Sequence, residues 1–229
     1  MASTVTVTEL TTRVRRATDT ENATARFPDA EIQDYLKTAH RQWWDFLINN
    51  GGGHLLEASS PHTVSTVADT ATVALATDHY RLVGVDADVG GDTRTLFPLP
   101  SGERNRYSED GLSWQGMRKV YYRVVGSNLT LYPTPDAVYS LTVHYIPEAE
   151  VDFGTGSNTV DGYNGWDEYI VYVASLKLLN KDNRRTEHID KDLSALKRDV
   201  RLSLRNLDDG NPPQVTDTHG LEHDLFGIY

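Results

Sequence analysis

Apolar positions in the first fifty residues recur at helical spacing. Apolar residues three or four apart predict a short helix over residues 4–18. A second helix begins at Pro28-Asp29, where a proline and acidic side chains suit the free N–H groups of a first turn. The Asn- and Gly-rich segment 49–53 ends this helix, because Asn and Gly readily form a left-handed cap. Its apolar stripe consists of Ile32, Leu36, Ala39, Trp43 and Phe46.

In the middle of the chain the period of the apolar pattern changes to two, which is typical of strands. Strands are predicted over residues 72–76, 80–85, 120–125, 128–132 and 140–145. Gly126-Ser127 lies between two of these strands and predicts a tight hairpin. Between Asp86 and Met117 the pattern weakens, and we expect long loops with one short helix.

Helical spacing returns after Gly165 and predicts a helix over residues 166–181. A short polar turn then leads into the strongest periodic signal in the chain, which predicts a helix of about 21 residues and about 30 Å. Its apolar positions are Ile189, Leu193, Leu196, Val200, Leu204 and Leu207. The short turn indicates that these two helices form a hairpin.

The last segment, residues 208–229, is a polar spacer with an apolar tip. It carries acidic residues but no Lys or Arg, and Pro212-Pro213 excludes a helix there. Fully extended, it would reach about 70 Å. The pattern predicts an arm that docks on a partner, with candidate contacts at Pro212, Pro213, Leu221, Leu225, Phe226, Ile228 and Tyr229.

Together these elements predict an α+β fold in which both ends of the chain build one four-helix bundle. The N-terminal helix pair (1–53) and the C-terminal helix hairpin (161–207) would form the bundle. A β-rich insertion (54–160) lies between them, and an extended C-terminal docking arm (208–229) follows.

The amino-acid composition excludes several classes of protein function. The 229 residues include no cysteine, which excludes disulfide scaffolds, zinc–thiolate sites and Cys nucleophiles. The formal charge of −11 argues against a primary nucleic-acid binder, although passive contact with DNA through a local basic stripe stays open. No apolar stretch is long enough to span a membrane, and the N-terminus has no secretory pattern, so we expect no membrane contact.

Motifs for catalysis or cofactor binding are missing from the sequence, and we therefore expect neither an enzyme nor a bound cofactor or metal. The sequence also contains four weaker patterns of charged or ligating residues. The alternating acids Glu148, Glu150 and Asp152, and the group Asp86, Asp88 and Asp92, are more typical of solvated loops than of a carboxylate pair or a cation site. The pair His219 and His223 has metal-ligand spacing without a convincing helix, and Arg13, Arg15, Arg16 and Arg41 form either a basic patch or ordinary solvated faces.

Tyrosines are concentrated on the predicted strands, at Tyr121, Tyr122, Tyr132, Tyr139 and Tyr145. Strand alternation would expose some of them, and exposed aromatics favour a protein interface or a sugar-binding face. Burial in the core is at least as good an explanation for most of them.

Several segments resemble the head-to-tail adaptor (connector) proteins of tailed phages. The likeness is carried by 122–136 (YRVVGSNLTLYPTPD), 144–147, 161–171, the turn at Lys181-Asp182, 211–217 and the helix start at 27–32. It covers most of the chain and is weakest over 54–118.

The resemblance implies a virion structural protein made in the host cytoplasm. Such adaptors form a ring, usually dodecameric, between the portal and a tail or nozzle (stopper) protein, and they continue the DNA channel. The alternative from the residues themselves is a virion carbohydrate- or receptor-binding module that uses the tyrosine-rich strands.

Overall fold

The computed structural model describes residues 3–103, 113–116, 119–149, 151–162 and 165–205. Within these residues there are four α-helices. They are α1 (Val7–Ala17), α2 (Asp29–Asn49), α3 (Glu168–Lys181) and α4 (Glu187–Arg205). Short 3-10 helices at Gly52–Leu55, Ser101–Glu103 and Trp114–Gly116 join other elements.

The same residues form ten strands in three sheets. The strands are β1 (Ser3–Thr6), β2 (His62–Ser65), β3 (Thr72–Ala74), β4 (His79–Val89), β5 (Asp92–Thr95), β6 (Phe97–Pro98), β7 (Tyr121–Val125), β8 (Asn128–Tyr132), β9 (Ser140–Pro147) and β10 (Thr159–Gly162). One sheet has two strands in the order β1-β10, and the other two have the orders β2-β9-β4-β5 and β3-β8-β7-β6. All strand pairs are antiparallel except β6 with β7.

The two four-stranded sheets share one apolar core. Val85 and Leu141 come from one sheet, and Leu129 and Leu131 come from the other. Trp114 is fully buried among them, stacks on Tyr139 and donates its indole N–H to the carbonyl of Pro133 at 3.1 Å. We call this part of the molecule the β-sandwich.

The helices build a second core around α3, and we call this part the helical layer. α3 packs against α1, α2 and α4, and most of its side chains are buried. An aromatic cluster joins α2 to α3, with Trp43 4.9 Å and Phe46 5.4 Å from the ring centre of Tyr169. Residues from strands and loops complete this core: Val5, Leu56, Ile146, Phe153 and Val160.

The prediction of a four-helix bundle is therefore wrong, and the chain has a β-rich α+β fold. An apolar stripe shows which side of a helix is buried, but it does not show what covers that side. Here β1, β9 and β10 cover part of the surface that the sequence pattern assigned to other helices.

The ends of several elements also differ from the sequence prediction. Residues 3–6 form β1 instead of the start of a helix, because they pair with β10 at residues 159–162. α1 then begins at Val7, where the Thr6 hydroxyl accepts a hydrogen bond from the N–H of Glu9 at 3.2 Å. The expected loop after Asp86 is wrong in part, because β4 continues to Val89 and pairs with β5.

The other helices and strands are confirmed close to their predicted positions. α2 ends before Gly51, whose φ of +91° is the left-handed conformation expected at such a cap. Gly126, with a φ of +60°, forms the hairpin between β7 and β8. α3 and α4 follow each other through a short turn, as the sequence indicates.

Candidate functional site

All seven residues of the docking arm that were predicted to bind a partner lie outside the described part of the chain. Pro212, Pro213, Leu221, Leu225, Phe226, Ile228 and Tyr229 are all outside the described residues, as are Glu150, His219 and His223. The docking arm therefore stays a prediction from the sequence.

Asp152, one of the acidic candidates that the structure describes, is held in a local turn. The carboxylate of Asp152 accepts hydrogen bonds from the Gly154 N–H and the Thr155 hydroxyl, both at 2.9 Å. These bonds hold the pKa of Asp152 below its usual range. Such a carboxylate is a poor general acid, because it stays ionised at neutral pH.

The second acidic group is spread along the β4–β5 hairpin. Asp88 accepts a hydrogen bond from the Gly91 N–H at 2.9 Å, and Asp86 accepts one from the Thr95 hydroxyl at 2.7 Å. No group of three or more His, Asp or Glu side chains among the described residues is arranged to hold a metal ion.

Three of the four arginines considered for a basic patch, Arg13, Arg15 and Arg16, make intramolecular ion pairs. Arg13 contacts the nearly buried carboxylate of Asp167 at 2.7 Å, just before α3 begins. Arg15 binds Asp29 and the carbonyl oxygens of Thr20 and Phe27, which ties α1 to the start of α2. These side chains therefore stabilise the fold and are not presented together to a partner.

The strand tyrosines are mostly structural. Tyr122, Tyr139 and Tyr145 are buried, and Tyr121 and Tyr132 are half-buried. The Tyr139 hydroxyl donates to Asp136 at 2.8 Å, and the Tyr145 hydroxyl donates to Asp78 at 3.1 Å. These five tyrosines are therefore too buried to form a continuous exposed face for a sugar. Their burial does not favour the alternative function, a carbohydrate- or receptor-binding module.

A cleft that the sequence did not reveal opens where α2 meets the end of β9. Trp44 is half-buried at its centre and donates its indole N–H to the carbonyl of Pro147 at 3.0 Å. Trp44 borders three adjoining cavities, one of about 330 Å³. We call this depression the Trp44 cleft.

Acidic side chains outnumber basic ones in the wall of the Trp44 cleft. They are Asp45, Glu57, Asp78, Glu148 and Asp161. Among the described residues that line the cleft, Arg41 is the one Lys or Arg. The Tyr80 hydroxyl donates to Asp45, so an aromatic ring also stands at this edge. Acidic and aromatic groups together are suited to cationic side chains.

His40 forms part of the wall of the 330 Å³ cavity. Only 4% of the residue is exposed, and its ring lies 5.5 Å from Trp44 and 5.6 Å from Phe153. Burial, together with the nearby charge of Arg41, lowers the pKa of His40 to about 4. The ring is therefore neutral at pH 7, and its Nδ1 has no hydrogen-bond partner among the described residues.

The outward face of α4 has the opposite character. Directly opposite its buried stripe runs a second stripe of exposed residues: Lys191, Ala195, Arg198, Leu202 and Arg205. We call it the α4 stripe. Leu202 is 51% exposed, and the three cations stand out in a chain with a net charge of −11. The sequence contains the signal for this stripe, since the five residues recur at spacings of four and three, but the sequence prediction covered only the buried stripe.

The Trp44 cleft could not be found in the same way. It joins α2, the end of β9 and β10, which are distant in the sequence. No local pattern indicates that Trp44 stands beside Pro147.

The described residues thus present surfaces suited to binding other proteins. None of their helices is both long and apolar enough to cross a membrane. Comparison with protein families places the chain in the class of phage adaptor proteins, which are structural proteins of the virion. The chain belongs to the SU10 adaptor protein family, whose model matches residues 5–215. The resemblance to phage head-to-tail adaptors is confirmed by this match. Comparison with curated proteins finds no match.

Proposed function

We propose that this chain joins the phage head to the tail as a ring between the portal and a tail or nozzle protein, and that the ring continues the DNA channel. The observation that carries the proposal is the family match over residues 5–215. An adaptor must bind one component on each side and itself around the ring. The proposal therefore requires several binding surfaces and no catalytic centre.

The parts of the chain suit different contacts in this proposal. The helical layer, from 1–53 and 161–207, would form the body of the ring. The β-rich insertion, 54–160, would contact neighbouring copies or the next tail component. The arm, 208–229, would dock on the portal or on an adjacent copy through its apolar tip, because a polar spacer alone offers little surface to bury. DNA would pass the ring with passive contact only, since acidic walls repel phosphates.

Removal of the apolar tip tests the portal contact. We expect a chain lacking residues 218–229 to fold normally and to lose binding to portal rings, as measured by mass photometry of the mixture. A variant with serine at Leu221, Leu225, Phe226, Ile228 and Tyr229 should behave in the same way.

The matched control changes charge and keeps the apolar tip. Asp217, Glu222 and Asp224 are replaced by Asn or Gln, and this variant should still bind portal rings. Normal attachment of the truncated chain would show that the arm is not the portal contact.

A further inference from the structure

We infer that the α4 stripe of one copy docks into the Trp44 cleft of the next copy, and that this head-to-tail contact closes the ring. The inference rests on the proposed function, in which copies of the chain form a ring. The proposed function does not specify which surfaces of neighbouring copies meet, and the α4 stripe and the Trp44 cleft are those two surfaces.

The two surfaces have complementary charge. The α4 stripe carries Lys191, Arg198 and Arg205, for which the described residues provide no carboxylate partner on another element. The wall of the Trp44 cleft carries five carboxylates against one arginine. An ion pair between opposite surfaces also selects the correct partner, because like charges at a contact are strongly disfavoured.

Apolar and aromatic groups match as well. Leu202 and Ala195 stand between the cations of the α4 stripe. In the cleft, Trp44 and Tyr80 offer ring surface, which binds both aliphatic chains and guanidinium groups. The aromatic ring of His40 belongs to the wall of the same cleft.

The positions of the two surfaces allow a ring. Along α2, Trp43 and Phe46 point toward α3 and α4, and Arg201 of α4 lies 5.5 Å from the ring of Phe46. Trp44 points instead to Pro147 of β9. The α4 stripe and the Trp44 cleft therefore lie on different sides of α2. A contact between different surfaces of identical copies is heterologous, and such contacts generate rings when the rotation closes.

DNA is the other polyanion that the α4 stripe would attract. It would account for the three cations, but not for the exposed Leu202 or for the acidic cleft. A second copy accounts for all of these features. The test below therefore distinguishes contact with a second copy from contact with DNA.

A charge swap tests the contact. The first variant carries Arg198→Glu and Arg205→Glu, and the second carries Glu148→Lys and Asp161→Lys. We expect each to raise the protein concentration for half-maximal ring assembly on portal rings by about tenfold or more. The full chain with all four changes should assemble near the wild-type concentration, because every contact would again join opposite charges.

Matched controls reverse exposed charges elsewhere. Arg185→Glu lies in the turn before α4, and Asp34→Lys lies on the outer side of α2. Both should assemble like the wild type. Circular dichroism and thermal unfolding show whether each variant is folded.

The outcomes separate the inference from the proposed function. If wild-type chains form no ring with portal, the proposed function fails. If they form rings and the two charge variants assemble normally, or if the combined variant is not restored, the inference fails alone. If the α4 variant assembles normally and changes only the retention or passage of DNA, the α4 stripe faces the channel and the inference is overturned.

The absence of cysteine provides a second test that needs no charge reversal. The variant chain carries both Leu202→Cys and Ala149→Cys. When rings assembled from this chain are oxidised, we expect a series of disulfide-linked oligomers of increasing size. Either cysteine alone should give dimers at most, since a head-to-tail contact needs both positions. A double variant that also stops at dimers would contradict the inference.

Discussion

At the residue scale, His40 is a buried polar residue beside the Trp44 cleft that lowers the stability of the fold. A buried imidazole without a hydrogen-bond partner at Nδ1 costs free energy that a leucine or phenylalanine would not. The cost is reduced because the ring stays neutral and packs between Trp44 and Phe153. The chain thus keeps a buried polar atom in a residue that borders the Trp44 cleft, where an apolar residue would stabilise the monomer more.

The lowered pKa of His40 predicts a pH-dependent stability. Above pH 6.5 the imidazole is neutral in both the folded and the unfolded chain. Below that pH the unfolded chain binds a proton that the folded chain excludes until the pH approaches about 4. The free energy of unfolding should therefore fall as the pH drops from about 6.5 to about 4, by roughly 3 kcal/mol from this residue.

Urea unfolding of wild type and His40→Phe over this pH range measures the effect. The variant should lose that part of the pH dependence and keep the part that the carboxylates contribute. His188→Gln is the control, because His188 is exposed on α4 and should leave the wild-type slope unchanged. Equal slopes for the wild type and His40→Phe would show that His40 titrates normally in the folded chain.

At the element scale, α4 carries two opposite stripes with different tasks. Leu204 and Val200 are buried against the helical layer, and Leu202 points outward. Substitution of Leu204 therefore probes the stability of the fold, and substitution of Leu202 probes the exposed stripe. The two effects can be measured separately on one helix.

Leu204→Ala should lower the free energy of unfolding by about 2–4 kcal/mol, because it leaves a cavity in the core next to Gly52. Leu202→Ala should change it by less than about 0.5 kcal/mol, because the side chain is half in solvent. Chemical denaturation followed by circular dichroism measures both. If Leu202→Ala unfolds as easily as Leu204→Ala, the stripe is part of the fold and is not a free surface.

The elements also show what a sequence can predict. Both stripes of α4 follow from spacing alone, as do the Gly51 cap of α2 and the Gly126 hairpin, because these depend on neighbours in the chain. β1 was read as helix because its pairing with residues 159–162 is a long-range contact. The end of β4 was missed because alanine at position 87 and intervening aspartates weaken the alternation, although Val85, Ala87 and Val89 are all buried. The Trp44 cleft depends on three distant segments at once, and so no local pattern contains it.

At the scale of the whole molecule, β9 is the link between the two cores. Leu141 and Val143 pack in the β-sandwich, and Ile146, a few residues further along the same strand, packs in the helical layer. The strand pairs with both β2 and β4, and the indole of Trp44 on α2 donates to its last residue, Pro147. Because β9 contributes to both cores, we expect their unfolding to be interdependent: neither core can open without loss of a strand that completes the other.

This link between the cores predicts that a substitution that destabilises one core also destabilises the other. Leu141→Ala creates a cavity in the β-sandwich and should lower the global stability by about 2–5 kcal/mol. Native-state hydrogen exchange should then show a similar loss of protection in β8 of the sandwich and in α3 of the helical layer, because the slowest amides of both exchange through the same global opening. A loss confined to β8 would mean that the cores unfold separately. In the ring proposed for this chain, interdependent cores would keep the β-rich insertion in a fixed position relative to the helical layer, so that contacts made by one part hold the other in place.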